Sequence, residues 1–213
     1  MPPTLRVLLP AVSTVLAILL VLAIVLRDSS NHTMSHGIGF EGAAFPAGVR
    51  ARDFTLEDQQ GRRVSLSSYR GRVVALAFLP VPVGASSDCR TCVLVAQQVR
   101  GALDELESHP PAKPDLRTVF VSTKPGAPRA RGGGLLAQAS LTGRVELLTG
   151  TTKELRPVWH AYSLPPSNAG KAASEAAVTV LLIDRNGFER VGFGLEQMTP
   201  EGLSHDIRLL LAG

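Results

Sequence analysis

The stretch that decides the fold runs from residue 73 to residue 92 and reads VVALAFL-PVPVGASSD-CRTC. Its first part, Val73–Leu79, is a continuous apolar run bounded by turn residues. Such a run is typical of a strand buried on both faces of a parallel sheet. Its last part, Cys89-Arg90-Thr91-Cys92, contains both cysteines of the 213-residue chain. Apolar residues follow it at helical spacing, so the CxxC pair is predicted in the first turn of a helix.

This placement favours redox or metal chemistry at Cys89 and Cys92. The first turn of a helix offers unpaired backbone N–H groups and the positive end of the helix dipole, and both stabilise a thiolate. Arg90 adds a cation between the sulfurs, and Asp88 is predicted to cap the helix. The alternative is a pair of inert core cysteines, but such a pair would rarely lie three apart at a strand-to-helix junction.

The pattern on either side of this stretch predicts an α/β fold. Residues 53–58 and 63–66 alternate around Gln59-Gln60-Gly61 as a β-hairpin does. Further strands and helices alternate after the CxxC helix, which implies a central mixed sheet flanked by helices. A CxxC that leaves a central strand in such a pattern is the thioredoxin arrangement. Strands are predicted at 116–122, 145–148, 177–184 and 188–193, and helices at 135–141, 151–162 and 199–211.

The amino-terminal part predicts one transmembrane helix ahead of this domain. Residues 7–26 are almost all apolar, and about 20 such residues span the hydrocarbon core of a bilayer. The division predicted is an anchor at 1–28, a linker at 29–48 and a thioredoxin-like domain at 49–213. A cleaved signal peptide is the alternative, but no small-residue cleavage site follows the run. The free amino terminus and Arg6 favour a single-pass protein of the cell membrane whose domain faces the extracytoplasmic side.

The overall composition argues against nucleic-acid binding. The net charge of +4 comes mostly from arginine, and aromatic residues make up only 5% of the chain. No basic cluster is interleaved with aromatic side chains, which is the pattern that nucleic-acid binding requires.

The linker histidines, His32 and His36, are interpreted as polar residues of the tether. An extracytoplasmic compartment would permit disulfides and give the CxxC a use.

Three motifs resemble the entry to extracytoplasmic thioredoxin-like proteins: FTLED at 54–58, GRRVSL at 61–66 and YRGRVV at 69–74. Three more selective motifs resemble the Sco/SenC family: LLTGT at 147–151, LRPVWHAY at 155–162 and LIDRNG at 182–187. The resemblance covers residues 52–211. The resemblance implies a membrane-tethered thioredoxin fold. It also implies delivery of copper to cytochrome c oxidase, or management of the cysteines of that enzyme, with oxidase subunits as partners.

The chain departs from the family pattern at its metal-binding positions. The family separates its two cysteines by three residues, whereas two residues separate Cys89 from Cys92. Counting back from the strand at 182–184 places Ala176 where the family has its copper-binding histidine. Lys124 stands where the family has an aspartate. His160 is interpreted as a helix-surface or packing residue rather than a replacement ligand.

Three functions remain open on these residues. In a thiol–disulfide oxidoreductase, Cys89 would attack protein disulfides and Cys92 would resolve the intermediate, with no cofactor required. Residues 175–180 lack the proline that thioredoxins place opposite the CxxC. In a copper chaperone, Cys89 and Cys92 would bind Cu(I), because soft sulfur suits a soft ion. A fixed structural disulfide is disfavoured because so small a loop stabilises little. A peroxidase site, with Ser86 as its hydroxyl, is the weakest match.

Overall fold

The computed structural model describes residues 39–81, 89–111, 115–126, 133–166, 170 and 178–213. The predicted membrane span lies outside these ranges, and none of the helices within them is long and apolar enough to cross a membrane. The strands are β1 (Ala43–Ala44), β2 (Thr55–Glu57), β3 (Arg63–Ser65), β4 (Val73–Leu79), β5 (Leu116–Ser122), β6 (Glu146–Leu148), β7 (Thr179–Ile183) and β8 (Glu189–Gly194). The helices are α1 (Arg90–Ser108), α2 (Gly133–Gln138), α3 (Thr152–Ala161) and α4 (Pro200–Ala212), and a 3-10 turn covers Leu66–Tyr69.

Six of the strands form one mixed sheet in the order β1-β8-β7-β4-β5-β6. The central strand β4 runs parallel to β5 and antiparallel to β7, and β5 runs parallel to β6. The α/β architecture predicted from the sequence, with a mixed sheet flanked by helices, is therefore confirmed. Each predicted strand and helix within the described ranges is present, with ends that differ by a few residues.

Strand β4 separates two apolar cores because its side chains alternate between the faces of the sheet. Val73, Ala75, Ala77 and Leu79 belong to a cluster that also contains the buried side chains of α1 and α4. Val74, Leu76 and Phe78 belong to a second cluster, with the buried side chains of α3. Every residue of β4 is buried, as the continuous apolar run predicts.

The predicted amino-terminal hairpin is confirmed as β2 and β3, which form a separate two-stranded sheet. Its turn is held by the fully buried carboxylate of Asp58, which accepts hydrogen bonds from the backbone N–H groups of Gln60 and Arg62. Burial alone would raise the pKa of Asp58, but these bonds and the Arg62 guanidinium lower it overall. The hairpin joins the main fold where Glu57 and Thr149 exchange backbone hydrogen bonds.

The packed domain begins earlier than the predicted start near Val49. Residues 41–45 lie against the fold, although the sequence predicts a linker as far as residue 48. The buried carboxylate of Asp206 on α4 accepts hydrogen bonds from the backbone N–H groups of Glu41 (2.8 Å) and Gly42 (2.9 Å). Strand β1 then pairs with β8. Phe40 and Phe45 also pack against the two apolar clusters. The segment lacks a sequence periodicity because separate contacts with distant parts of the chain hold it, rather than one regular apolar face.

Candidate redox site

The two cysteines lie at the carboxyl edge of the central strand. Strand β4 ends at Leu79, and α1 begins at Arg90 with Cys89 as its N-cap residue. The two sulfurs form a disulfide, with the Cα atoms 5.2 Å apart. The predicted position of the CxxC, at the start of the helix that follows the buried strand, is therefore confirmed.

Cys89 caps the helix with its own sulfur. Its Sγ accepts a hydrogen bond from the backbone N–H of Cys92 at 3.1 Å, and its carbonyl accepts one from Val93 at 3.2 Å. The sequence predicts Asp88 as the cap, but Cys89 takes this position, and Asp88 itself lies outside the described residues. At this position the sulfur faces the unpaired amides of the first turn. The same N–H would stabilise a Cys89 thiolate after reduction.

Both cysteine residues are buried, and they differ slightly in their exposure. Cys89 is 7% exposed and Cys92 is 1% exposed, so Cys89 is the more accessible of the two. Both belong to the apolar cluster that contains Val81, Val95 and the inner face of β4. The exposed side chain of Arg90 lies on the outer side of the helix start. This order of accessibility agrees with Cys89 as the attacking thiol, and that role stays a prediction.

A network of hydrogen bonds joins the residues that follow β4 to those that follow β5. The sequence alone did not indicate this network. The backbone N–H of Thr123, which follows β5, donates to the carbonyl of Leu79 at 2.8 Å. The buried hydroxyl of Ser122 lies 3.0 Å from the carbonyl of Lys124 and 3.4 Å from that of Val81. Trp159 Nε1 donates to the carbonyl of Thr123 at 3.2 Å. The only sequence signals were a serine ending a buried strand and the single tryptophan.

The remaining candidate ligands are not brought to the cysteines. His160 is exposed on α3, as predicted, and α3 packs on the opposite face of the sheet from α1. Ala176, Ser86, His32 and His36 lie outside the described residues. Among the residues that the structure describes, no three His, Cys, Asp or Glu side chains form a cluster that could hold a metal ion.

A cleft of about 360 Å³ lies away from the cysteines. It is formed by the amino-terminal ends of β5 and β6 together with the end of α1. Arg117 and Arg144 are among its lining residues. Because β4 and β5 run parallel, this cleft is at the sheet edge opposite to the disulfide. The cleft therefore lies apart from the two cysteines, which remain the candidate reactive groups.

Solved structures of other proteins have a similar arrangement of strands and helices. Sco1 from Thermus thermophilus is 21% identical with a TM-score of 0.60, and the match covers 81% of this chain and 97% of that one. ScoI from Arabidopsis thaliana, crystallised with copper bound, is 16% identical with a TM-score of 0.59, covering 77% of this chain and 99% of that one. This chain has the thioredoxin-like fold of Sco/SenC proteins. The resemblance predicted from its motifs is thereby confirmed for the fold.

The Sco-type fold is shared with dedicated oxidoreductases. The thioredoxin domain of a thiol-disulfide oxidoreductase from Bacteroides vulgatus is 14% identical with a TM-score of 0.55, covering 79% of this chain and 99% of that one. No protein-family model and no curated protein matches the sequence. The comparisons therefore establish the fold of this chain.

Proposed function

We propose that this protein is a membrane-tethered, extracytoplasmic thiol–disulfide oxidoreductase that uses Cys89 and Cys92. One observation carries the proposal: Cys89 Sγ occupies the N-cap of α1 and accepts the Cys92 N–H. This is the environment that stabilises a thiolate and makes it a good nucleophile and leaving group. The likeness to an oxidoreductase of Bacteroides vulgatus supports the same chemistry.

The reaction uses no group beyond the two thiols. In the reduced protein, the Cys89 thiolate attacks one sulfur of a substrate disulfide and expels the other as a thiolate, which takes up a proton. The mixed disulfide that results is then attacked by Cys92 after loss of its proton. This step releases the second substrate thiol and forms the Cys89–Cys92 disulfide seen in the structure. Two electrons pass from the protein to the substrate, and the reverse sequence oxidises a substrate dithiol.

The compartment and the partners are part of the proposal. The apolar run at 7–26 supports a membrane tether, and a disulfide site is useful on the extracytoplasmic side of that membrane. Protein thiols and disulfides are the substrates. The Sco-type fold supports oxidase subunits as one source of these cysteines.

The second candidate function is delivery of Cu(I), with copper as the cargo. The likeness to a Sco protein crystallised with copper bound favours it. After reduction, the sulfurs of Cys89 and Cys92 would form a two-thiolate site within one helical turn, which suits a soft ion. Ala176 supplies no imidazole, so this candidate predicts a preference for Cu(I) over Cu(II).

A paired measurement on the full-length protein in detergent tests both candidates. The equilibrium potential of the Cys89–Cys92 couple against a glutathione buffer tests exchange, and titration of the reduced protein with Cu(I) and Cu(II) tests delivery. Oxidoreductase function predicts a reversible couple and efficient turnover of protein disulfides. It is contradicted if the reduced thiols fail to react with disulfides. Replacing Ala176→His is expected to strengthen Cu(II) binding if the copper candidate is correct, and the C89S/C92S double variant is the control that must bind neither ion.

A further inference from the structure

Ser122 carries a buried hydroxyl beside the redox site that the proposed reaction does not use. It ends β5, and its partner in the sheet register is Leu79, the last residue of β4. The residue is fully buried. Its Oγ lies 3.0 Å from the carbonyl oxygen of Lys124 and 3.4 Å from that of Val81, and the hydroxyl can donate to either. One side chain of β5 therefore contacts the residues that follow both strands.

The contact with Val81 holds the chain where it leaves the central strand. The backbone N–H of Val81 donates to the carbonyl of Leu79 at 2.8 Å, so the chain turns sharply at Pro80. The N–H of Thr123 donates to the same carbonyl at 2.8 Å. The turn is thus held from the side of β5 at both ends, by Thr123 at its start and by Ser122 at its end.

The side chain of Val81 is part of the surroundings of the two cysteines. It is 2% exposed and belongs to the apolar cluster that contains Cys89 and Cys92. A reagent reaches a residue as deeply buried as Cys92 only when its surroundings open locally. Residues 80 and 81 lie beyond the end of β4, so individual hydrogen bonds hold them rather than a strand ladder. The free energy of opening at Cys92 should therefore include the bond between Ser122 and Val81.

We propose that Ser122 is a positioning residue for disulfide exchange: its hydroxyl holds Val81 in the cluster around the cysteines and so keeps Cys92 protected while Cys89 attacks. The inference rests on the proposed function and adds a residue to its site. Ser122 acts through Val81. A hydroxyl that served Lys124 alone would stabilise the end of β5 without affecting the thiols.

Alkylation of the reduced protein measures this protection. The full-length protein in detergent is reduced with dithiothreitol, freed of it and treated with iodoacetamide. Trypsin cleaves after Arg90 and separates the two cysteines, so mass spectrometry gives an initial rate for each. Ser122→Ala is expected to raise the rate at Cys92 by up to about fivefold, the factor by which the loss of one hydrogen bond eases a local opening. The rate at Cys89 should change less, so the Cys89-to-Cys92 ratio should fall.

Two further variants separate positioning from a general loss of stability. Ser204→Ala is the matched control, because Ser204 is also fully buried and its hydroxyl donates to Glu105, far along α1 from the disulfide. It should lower stability to urea about as Ser122→Ala does and leave the alkylation ratio as in the wild type. Val81→Ala tests the route. Adding Ser122→Ala to it should change the ratio less than Ser122→Ala does alone.

The outcomes distinguish this inference from the proposed function. Reduced wild type that does not react with glutathione disulfide contradicts exchange itself, and the positioning role fails with it. Protein that reacts, but in which Ser122→Ala and Ser204→Ala give the same alkylation ratio, retains exchange and overturns the role of Ser122. Additive effects of Ser122→Ala and Val81→Ala overturn it too. Val81→Ala leaves the Ser122 hydroxyl and its two acceptors in place, so an unchanged ratio in this variant overturns the proposal even if Ser122→Ala does not fold.

Discussion

At the scale of single residues, the two sulfurs of one motif occupy different environments. Cys89 lies at the N-cap, receives the Cys92 N–H and retains 7% of its surface. Cys92 lies inside the first turn and is 1% exposed among apolar side chains. Amide donors lower a thiol pKa, whereas apolar burial raises it. The reduced protein should therefore contain one reactive thiolate and one protected thiol.

Substituting the cysteines one at a time tests this division of roles. Cys92→Ser should accumulate a stable mixed disulfide between Cys89 and a substrate protein, because the resolving thiol is missing. Cys89→Ser should accumulate none. Gel electrophoresis without reductant detects the adduct, and alkylation of the reduced wild type across pH compares the two thiols. Equal alkylation of both, with ordinary thiol pKa values near ~8.5, would remove the basis for assigning attack to Cys89.

At the scale of elements, α3 shows how a charge stabilises a helix start. Thr151 and Glu154 form a capping box in which Glu154 accepts the Thr151 backbone N–H at 2.9 Å. That bond, followed by the hydrogen bond from Arg63, lowers the pKa of Glu154 to about 2. The folded value is below the unfolded one, so the ionised carboxylate stabilises the fold above the unfolded pKa. This contribution is lost as the pH falls towards the folded pKa.

Replacing Glu154→Gln should therefore destabilise the protein in a pH-dependent way. Near neutral pH we expect a loss of about 0.5 kcal/mol in the free energy of unfolding, because glutamine can keep the capping hydrogen bond but loses the charge that faces the helix amino terminus and Arg63. The difference from the wild type should shrink as the pH falls from about 4.5 towards about 2. Urea denaturation at several pH values measures it. Glu196→Gln, an exposed substitution outside the helices, is the control, and a gap that stays constant with pH would contradict the assignment.

Local patterns predicted most elements because their cause is local. The apolar run of β4, the helical spacing after Cys92 and the Thr199-Pro200 start of α4 each appear in the structure. The attachment of residues 41–45 could not be predicted in this way. It depends on Asp206, a buried carboxylate distant in sequence, and on pairing with β8.

In the candidate site, too, some features could be predicted from the sequence and others could not. The Cys89–Cys92 pair was predictable, because its spacing and the flanking strand and helix are properties of adjacent residues. The capping role of the Cys89 sulfur was not, since Asp88 is the better cap by residue type. The contacts of Ser122 and Trp159 with the neighbouring loop require the sheet register and the packing of α3. Sequence reasoning therefore found the reacting atoms and missed the groups that position their surroundings.

At the scale of the whole molecule, the sheet lies between the core that contains the disulfide and the core that contains α3. The disulfide belongs to the core on the α1 and α4 side, and α3 with His160 belongs to the other side. The amino-terminal segment joins the fold through α4 and β8. The amino-terminal segment is therefore held at one edge of the sheet, whereas the disulfide lies beside the central strand β4.

The last prediction concerns that tether. We expect one transmembrane helix at about residues 5–27, with everything after it outside the cytoplasm, because about 20 apolar residues span a bilayer and no cleavage site follows them. Intact cells treated with protease should lose the domain, and washed membranes should retain the full-length chain. A tag on the amino terminus should stay protected in the same cells, which controls for lysis. Protection of the domain would reverse the topology and place the disulfide in a reducing compartment. A mature amino terminus near Ser30 would show instead that residues 7–26 are a cleaved signal, and exchange at Cys89 would then be that of a released protein.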